Sequence, residues 1–199
     1  MENGRTVVSL NLTPEDAVFV VFSGKAASGG RQLAPLTDHT LLTINTPWQA
    51  AFQAKRGAPA TATFDKLIDF TQSEVEGIKY FSGEATYTNS FELTEEQLNA
   101  KQVILDLGDV EKMAEVTLNG QKLGLYWKAP FVVDVTEALK AGKNELEVKV
   151  TNLWINRMIG DSRPEATEKI SWTPYPFYRP TSQMSSSGLI GPVKVIGRD

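Results

Sequence analysis

Aromatic and basic side chains gather in the C-terminal part of the chain, where they could bind a sugar. Sugars present apolar C–H faces that stack on aromatic rings, and their hydroxyls pair with Arg, Asn and Asp side chains. The same residue types are common at interfaces between proteins or domains, and the rings could instead fill the ends of a β-sandwich. All three alternatives stay open. The candidate carbohydrate-binding residues are Trp127, Trp154, Arg157, Trp172 and Tyr175.

Paired carboxylates are the second kind of chemistry to consider, because glycoside hydrolysis needs two carboxyl groups at a defined separation. Asp106 and Asp109 flank an expected strand end and turn, and Asp134 lies within an expected strand. The chain has 24 acidic residues, so some pair looks suitable by chance. Solvated faces and turns are the ordinary location of acidic residues. The sequence therefore predicts no catalytic residue.

Metal and cofactor sites have little support in the composition. The chain has one histidine, His39, and no cysteine, so a zinc site and a disulfide are not expected. His39 lies in a polar turn, and no Gly-x-Ser-x-Gly motif accompanies it to suggest a catalytic triad. No cofactor is predicted. A calcium site built from the oxygen ligands of separated loops remains open.

Length and charge define the class of protein. The chain has 199 residues, 41% of them hydrophobic, which is enough to bury a core. A net charge of −4 argues against nucleic acid or an anionic membrane as the main partner. No apolar run approaches the roughly 20 residues of a membrane span. The N-terminus lacks an apolar signal core, which predicts either a cytoplasmic protein or a piece of a longer one.

Period-two hydrophobicity predicts an all-β fold. Apolar and polar residues alternate at 103–107, 114–118, 131–135 and 146–150, as expected for half-buried strands. Asn119-Gly120 follows one of these strands and favours a tight hairpin turn. No helix-period segment of useful length is apparent, and 152–187 is a long irregular stretch of the kind that is functional or forms an interface. Further strands are expected at 41–44, 48–52, 83–91 and 189–196.

The predicted strands and the predicted linker divide the chain into two parts. Residues 8–12 and 18–22 predict two strands of a leading hairpin, with Thr13-Pro14 supplying the turn. Residues 23–35 are rich in Gly, Ser and Ala and predict a linker. We therefore expect a hairpin and linker over 1–35, and a jelly-roll β-sandwich over 36–199.

The stretch from residue 115 to residue 150 resembles the sugar-binding domain of glycoside hydrolase family 2. The order is strand, Asn-Gly turn, aromatic loop, Pro-Phe, strand, helical turn and strand. The resemblance implies a galactose-binding-like β-sandwich. The matching residues are 115–124, Trp127, Pro130, Phe131, Asp134, Thr136, Leu139, Gly142, Asn144 and 146–150.

The continuation Asn-Leu-Trp-Ile-Asn-Arg-Met-Ile-Gly-Asp at 152–161 is similar to the C-terminal region of the large α-L-rhamnosidases of glycoside hydrolase family 106. This resemblance implies that the catalytic barrel lies upstream, that 1–22 is a remnant of a preceding β domain, and that no residue here is catalytic. It further implies an extracytoplasmic parent enzyme, either periplasmic or secreted.

Three functions follow from these observations. The first is a non-catalytic accessory domain that supports the catalytic domain of a rhamnosidase-type hydrolase and contacts a plant or microbial glycan. The second is a genuine carbohydrate-binding module, with its site on the aromatic loops. The third is a free-standing hydrolase, which would require a cleft with two facing carboxylates.

Overall fold

The computed structural model describes residues 6–10, 12–24 and 36–199, and its contacts divide the chain into the units Met1–Pro35 and Leu36–Asp199. In the first unit a turn forms at 13–16, where the Asp16 amide donates to the Thr13 carbonyl at 3.1 Å. No strand forms in 6–10 or 12–24, so the two strands predicted for 8–12 and 18–22 are absent from the described part of this unit. Whether the unit is a remnant of another domain stays a prediction, and residues 25–35 of the linker expected at 23–35 lie outside the described residues.

The second unit is an all-β sandwich, as predicted. The strands are β1 Asp38–Thr43, β2 Trp48–Phe52, β3 Thr61–Phe64, β4 Glu84–Leu93, β5 Gln102–Asp106, β6 Asp109–Glu111, β7 Met113–Leu118, β8 Gln121–Tyr126, β9 Val132–Asp134, β10 Gly142–Thr151, β11 Gly188–Gly191 and β12 Lys194–Arg198. A six-stranded sheet has the order β3-β2-β4-β10-β7-β8, and a four-stranded sheet has the order β1-β12-β5-β9. A two-stranded sheet joins β11 and β6.

Alternation within the strands forms one core from the inner faces of both large sheets. In β10, Leu146, Val148 and Val150 are buried, and the residues between them point outward. On β7 the residues at the same register are all buried, and on β4 Tyr87 and Ala85 opposite Val148 and Val150 are buried. Because side chains alternate across a strand, each sheet has one apolar face and one polar face. The predicted period-two strands are therefore confirmed.

The Asn-Gly turn forms between β7 and β8 as predicted. Asn119 and Gly120 have φ values of 52° and 80°, which is the left-handed conformation that a two-residue hairpin requires. The Asn119 side chain donates to Ala138 O and to Asn144 Oδ1, both at 2.8 Å. Asn144 is fully buried and donates to Lys140 O and Gly142 O. This amide pair ties the hairpin to the turn before β10.

The helical segments are short. The 3₁₀ turns are Phe70–Gln72 and Glu96–Asn99, and the α-helices are α1 Glu76–Lys79 and α2 Ile155–Ser162. The sequence predicts no helix of useful length, so α2 corrects the interpretation of 152–187 as irregular throughout. The strand expected at 189–196 is also divided, because Pro192 separates β11 from β12 and the two pair in different sheets. None of the helices in the described residues is long and apolar enough to span a bilayer.

Candidate functional site

The segment between β10 and β11 leaves the sandwich at one end of the six-stranded sheet and carries the candidate site. It begins with Asn152 and Trp154, continues through α2, and returns at Ser187. Unlike most surface helices, α2 buries polar residues, namely Asn156, Arg157 and Asp161. These side chains hold the returning chain in place.

Asp161 holds the first part of the returning chain. Its Oδ2 accepts hydrogen bonds from the Ile170 amide at 3.0 Å, the Ser171 amide at 2.6 Å and the Ser171 hydroxyl at 2.7 Å. Its Oδ1 lies 2.8 Å from Arg157 Nη2, one turn earlier on α2. Despite this short distance, the geometry of the ion pair does not form a hydrogen bond, and Oδ1 accepts none from the described residues. One buried carboxylate therefore fixes both the arginine and residues 170–171.

Asn156 and Asn152 hold the second part of the returning chain, near residues 185–187. The Asn156 side chain donates from Nδ2 to the Ser185 carbonyl at 2.7 Å. Its Oδ1 accepts a hydrogen bond from the Ser185 backbone amide at 2.9 Å. Asn152 donates to the Ser187 hydroxyl and accepts from the Gly83 amide at 2.8 Å. Asp69 adds bonds from the Ser187 amide at 3.1 Å and from the Ser186 hydroxyl. The chain is thus fixed on either side of residues 172–184, which we call the apex segment.

The apex segment presents large aromatic side chains to solvent. Trp172, Tyr175 and Phe177 are 85%, 65% and 71% exposed. The Tyr175 and Phe177 rings contact each other, with centroids 5.0 Å apart. Exposed aromatic groups of this size on a hydrogen-bonded loop are typical of an interaction surface.

Trp127 and Trp154 lie at the same end of the six-stranded sheet. Trp127 follows β8, Trp154 follows β10, and β7 lies between these strands. Neighbouring strands are about 4.8 Å apart, so the two strand ends are about 10 Å apart. Both tryptophans are partly exposed, and the Arg56 guanidinium lies over the Trp154 ring, 4.6 Å from its centroid.

Arg157 is placed differently from the four aromatic candidates. Its side chain is only 9% exposed and pairs with Asp161, so it does not lie on the open surface that carries the exposed rings. The structure places Trp127 and Trp154 just after neighbouring strand ends of the six-stranded sheet, and Trp172 and Tyr175 in the apex segment. Sugar binding by any of the five residues stays a prediction.

The carboxylates considered for catalysis act in the fold. Asp106 accepts a hydrogen bond from the Gly108 amide at 2.9 Å, and Asp109 pairs with Gly191 in the two-stranded sheet. Asp134 accepts from the Gln102 amide group at 2.7 Å and from the Thr136 hydroxyl at 2.7 Å. These hydrogen bonds, that from Gln102 first, lower the pKa of Asp134 because they favour its charged form.

His39 and the metal question can be addressed from the same geometry. His39 lies near the start of β1, and its Nδ1 is 3.7 Å from the Asp199 carboxylate. Both side chains are about half exposed. Within residues 6–10, 12–24 and 36–199, no three His, Cys, Asp or Glu side chains are grouped so that they could hold a metal ion. The calcium site assembled from separated loops stays a prediction.

Comparison with known proteins relates the chain to glycoside hydrolases. Residues 60–182 match the family model described as glycosyl hydrolase 2 galactose-binding domain-like. A putative beta-glucuronidase of Formosa agariphila is 40% identical over 74% of this chain. A rhamnosidase structure from Novosphingobium sp. PP1Y is 41% identical over 88% of this chain, with a TM-score of 0.81. A Ruminococcus gnavus beta-glucuronidase, 18% identical over 84% of this chain and with a TM-score of 0.59, shares the fold.

The chain is much shorter than these relatives. It spans 15% of the Formosa protein, 16% of the Novosphingobium rhamnosidase chain and 30% of the Ruminococcus chain. In each of them the matching region is therefore one part of a larger polypeptide.

Proposed function

The chain belongs to the galactose-binding-like domains of glycosyl hydrolase family 2, and from that premise we propose that it is a non-catalytic accessory domain that braces the catalytic domain of a rhamnosidase-type glycoside hydrolase. The observation that carries the proposal is the apex segment. Its three exposed aromatic side chains are held on a loop that buried polar residues fix at both ends.

Fixed aromatic groups suit a permanent contact. Tyr, Trp and Phe are enriched at interfaces, where they contribute much of the binding energy. A loop that is already ordered loses little conformational entropy when it binds. The Asp161 and Asn156 hydrogen bonds order residues 170–171 and 185 without help from a partner. The apex segment is therefore well suited to contact a neighbouring domain.

The choice of a rhamnosidase-type parent rests on the similarity to the Novosphingobium enzyme, at 41% identity and a TM-score of 0.81. The 40% identity to a putative beta-glucuronidase keeps a glucuronidase parent as the alternative. A parent that acts on plant or microbial glycans would work outside the cytoplasm, and we include that location in the proposal.

The absence of catalysis is supported by the hydrogen bonds of the acidic residues considered above. Asp106 and Asp134 accept hydrogen bonds from backbone amides and stabilise turns, which accounts for both carboxylates without a catalytic role. We expect the isolated chain to hydrolyse neither aryl rhamnosides nor aryl glucuronides.

The experiment that tests the proposal exchanges the domain. The matching 16% of the Novosphingobium rhamnosidase is replaced by residues 36–199 of this chain or is deleted, and rhamnosidase activity and melting temperature are measured. We expect the exchanged enzyme to keep its activity and the deleted enzyme to lose stability. Hydrolysis by the chain alone, or a deleted enzyme as stable as the intact one, would contradict the proposal.

A carbohydrate-binding module is the second candidate, and the exposed Trp127 and Trp154 rings at one sheet end favour it. Calorimetric titration with rhamnose, galactose and pectic oligosaccharides, with and without calcium, tests it. Binding that Trp127→Ala and Trp154→Ala abolish would support a module, whereas no heat with any ligand would exclude this site.

A further inference from the structure

The Asn119-Gly120 turn between β7 and β8 has the residues that favour cyclisation of an asparagine side chain. The nitrogen of a following glycine can attack the side-chain carbonyl carbon of asparagine, because glycine has no side chain to block the approach. Gly120 is exposed, and apart from its chain neighbours no atom lies within 4 Å of where its Cβ would be. We propose that Asn119 is a site of spontaneous deamidation, protected in the folded domain and reactive when the turn detaches. This property is independent of the bracing role.

The only reactant besides the chain is water. The Gly120 nitrogen forms a bond to Asn119 Cγ, the Cγ–Nδ2 bond breaks, and Nδ2 leaves as ammonia with the proton of the Gly120 nitrogen. Water then adds to either carbonyl of the succinimide ring, which opens and returns a proton to the nitrogen. The product is aspartate or isoaspartate, so the side-chain amide is replaced by a carboxylate.

Three hydrogen bonds protect the Asn119 side chain from this reaction. Its Nδ2 donates to Ala138 O and to Asn144 Oδ1, both at 2.8 Å, and its Oδ1 accepts from the Glu145 amide at 3.0 Å. When the Gly120 nitrogen attacks, Cγ becomes tetrahedral, so neither Nδ2 nor Oδ1 keeps its position against these partners. We therefore expect the folded chain to deamidate at Asn119 at least about tenfold more slowly than the unfolded chain.

Asn144 fixes the orientation of these contacts. It is fully buried, and its Oδ1 accepts from the Lys140 amide at 3.0 Å as well as from Asn119. Its Nδ2 donates to Lys140 O at 2.8 Å and to Gly142 O at 3.0 Å. These bonds use both donors and both lone pairs of the side-chain amide. Asn144 therefore cannot turn its nitrogen toward Asn119 without losing its bonds to the turn before β10.

Deamidation would make the same contacts repulsive. A carboxylate only accepts hydrogen bonds, so the oxygen that replaces Nδ2 would face two other acceptors, Ala138 O and Asn144 Oδ1. Buried acceptors that lose their donor destabilise a fold. A molecule that deamidates while its turn is detached therefore refolds to a less stable sandwich. The reaction converts a transient opening of the hairpin into a permanent loss of stability.

The first test uses the full chain, in which Asn-Gly occurs at 119–120 and at 3–4. The chain is incubated in mildly alkaline buffer with and without concentrated urea, and peptide mass spectrometry measures deamidation at each asparagine. Asn3, which lies outside the described residues, gives the reference rate in urea. We expect Asn119 to react like Asn3 in urea and at least about tenfold more slowly without it. Equal rates at Asn119 in both buffers, or no reaction there in urea, would overturn the proposal.

A pair of variants shows whether the side-chain contacts give the protection. Asn144→Ala removes an acceptor of the Asn119 amide, whereas Val195→Ala shortens a fully buried side chain in β12 of the other large sheet. Both are incubated without urea under conditions where circular dichroism shows them folded. We expect Asn144→Ala alone to raise the deamidation rate at Asn119, by about threefold or more. The same rate in both variants would contradict protection by these contacts.

The product is tested through Asn119→Asp, with Asn99→Asp as the same change at an exposed position at the end of a 3₁₀ turn. We expect Asn119→Asp to lower the melting temperature by about 4 °C or more, and Asn99→Asp by less than about 2 °C. If the two variants melted at the same temperature, the repulsion at Ala138 and Asn144 would be refuted, and the proposal with it.

Discussion

Arg157 and Asp161 face each other across one turn of α2, with Nη2 and Oδ1 2.8 Å apart and side chains only 9% and 6% exposed. Asp161 also accepts three hydrogen bonds from residues 170 and 171. The ion pair therefore joins the helix to the loop that carries the apex segment. The proposed interface depends on this pair.

Breaking this pair from one side should be costly. We expect Arg157→Ala to lower the free energy of unfolding by about 3–5 kcal/mol, because it leaves the Asp161 carboxylate buried without a counter-charge. The double variant Arg157→Met/Asp161→Asn should lose less than the sum of the two single changes, since the two residues are directly coupled. Urea unfolding of the parent chain, Arg157→Met, Asp161→Asn and the double variant measures this coupling. Strict additivity would show that the contact does not stabilise the fold.

Two tryptophans provide a matched comparison of core and surface. Trp48 in β2 is 1% exposed, whereas Trp154 is 40% exposed and contacts Arg56 through its ring face. We expect Trp48→Ala to cost about 3–5 kcal/mol. Trp154→Ala should cost about 1 kcal/mol, mainly the lost cation–π contact. Equal losses of unfolding free energy in denaturant titrations would place Trp154 in the core.

Asp134 should contribute a pH-dependent part of the stability. Hydrogen bonds from Gln102 and Thr136 lower its pKa below the ordinary value of 3.8. Because the pKa of Asp134 is lower in the folded state, its contribution to the free energy of unfolding is complete above the pKa of the unfolded chain. That contribution is lost as pH falls through the pKa of the folded chain.

We therefore expect Asp134→Asn to cost about 0.5–1 kcal/mol at neutral pH, as for other side chains that cap a turn. The difference from the parent chain should shrink below pH 4, toward the lowered folded pKa. Gln102→Leu should move the acid transition to higher pH, because the Asp134 carboxylate loses its first hydrogen-bond donor. Unfolding free energies between about pH 2 and 7 give the profile, and a constant difference at every pH would refute this role.

Much of the sandwich could be predicted from the sequence because its strands are amphipathic. Alternation at 114–118 and 146–150 gave β7 and β10, and Asn119-Gly120 gave the turn between β7 and β8. Thr94 and Gln97 form a capping box, with reciprocal side-chain to backbone hydrogen bonds. In these strands and turns, the local conformational preference of the residues and the burial of their apolar side chains favour the same structure.

The helix α2 could not be predicted in this way because its buried face is polar. Asn156, Arg157 and Asp161 face the protein, so an apolar period of 3.6 residues is missing. One available signal was the spacing of Arg157 and Asp161, which allows an i,i+4 ion pair on a helix. The hydrogen bonds by which Asn156 and Asp69 hold the returning chain required the structure, since the Ser185, Ser186 and Ser187 partners lie 29 and 117 or more residues away in sequence.

The most direct test of the bracing role removes the apex aromatics from the exchanged rhamnosidase. Trp172→Ala/Tyr175→Ala/Phe177→Ala is compared with Leu36→Ala/Val132→Ala, which removes exposed apolar side chains from other elements. We expect the apex variant alone to lower the melting temperature of the whole enzyme, by about 4 °C or more, while the isolated chain with the same substitutions melts within about 2 °C of its parent. A whole enzyme that melts at the same temperature with and without the three aromatic side chains would contradict the account.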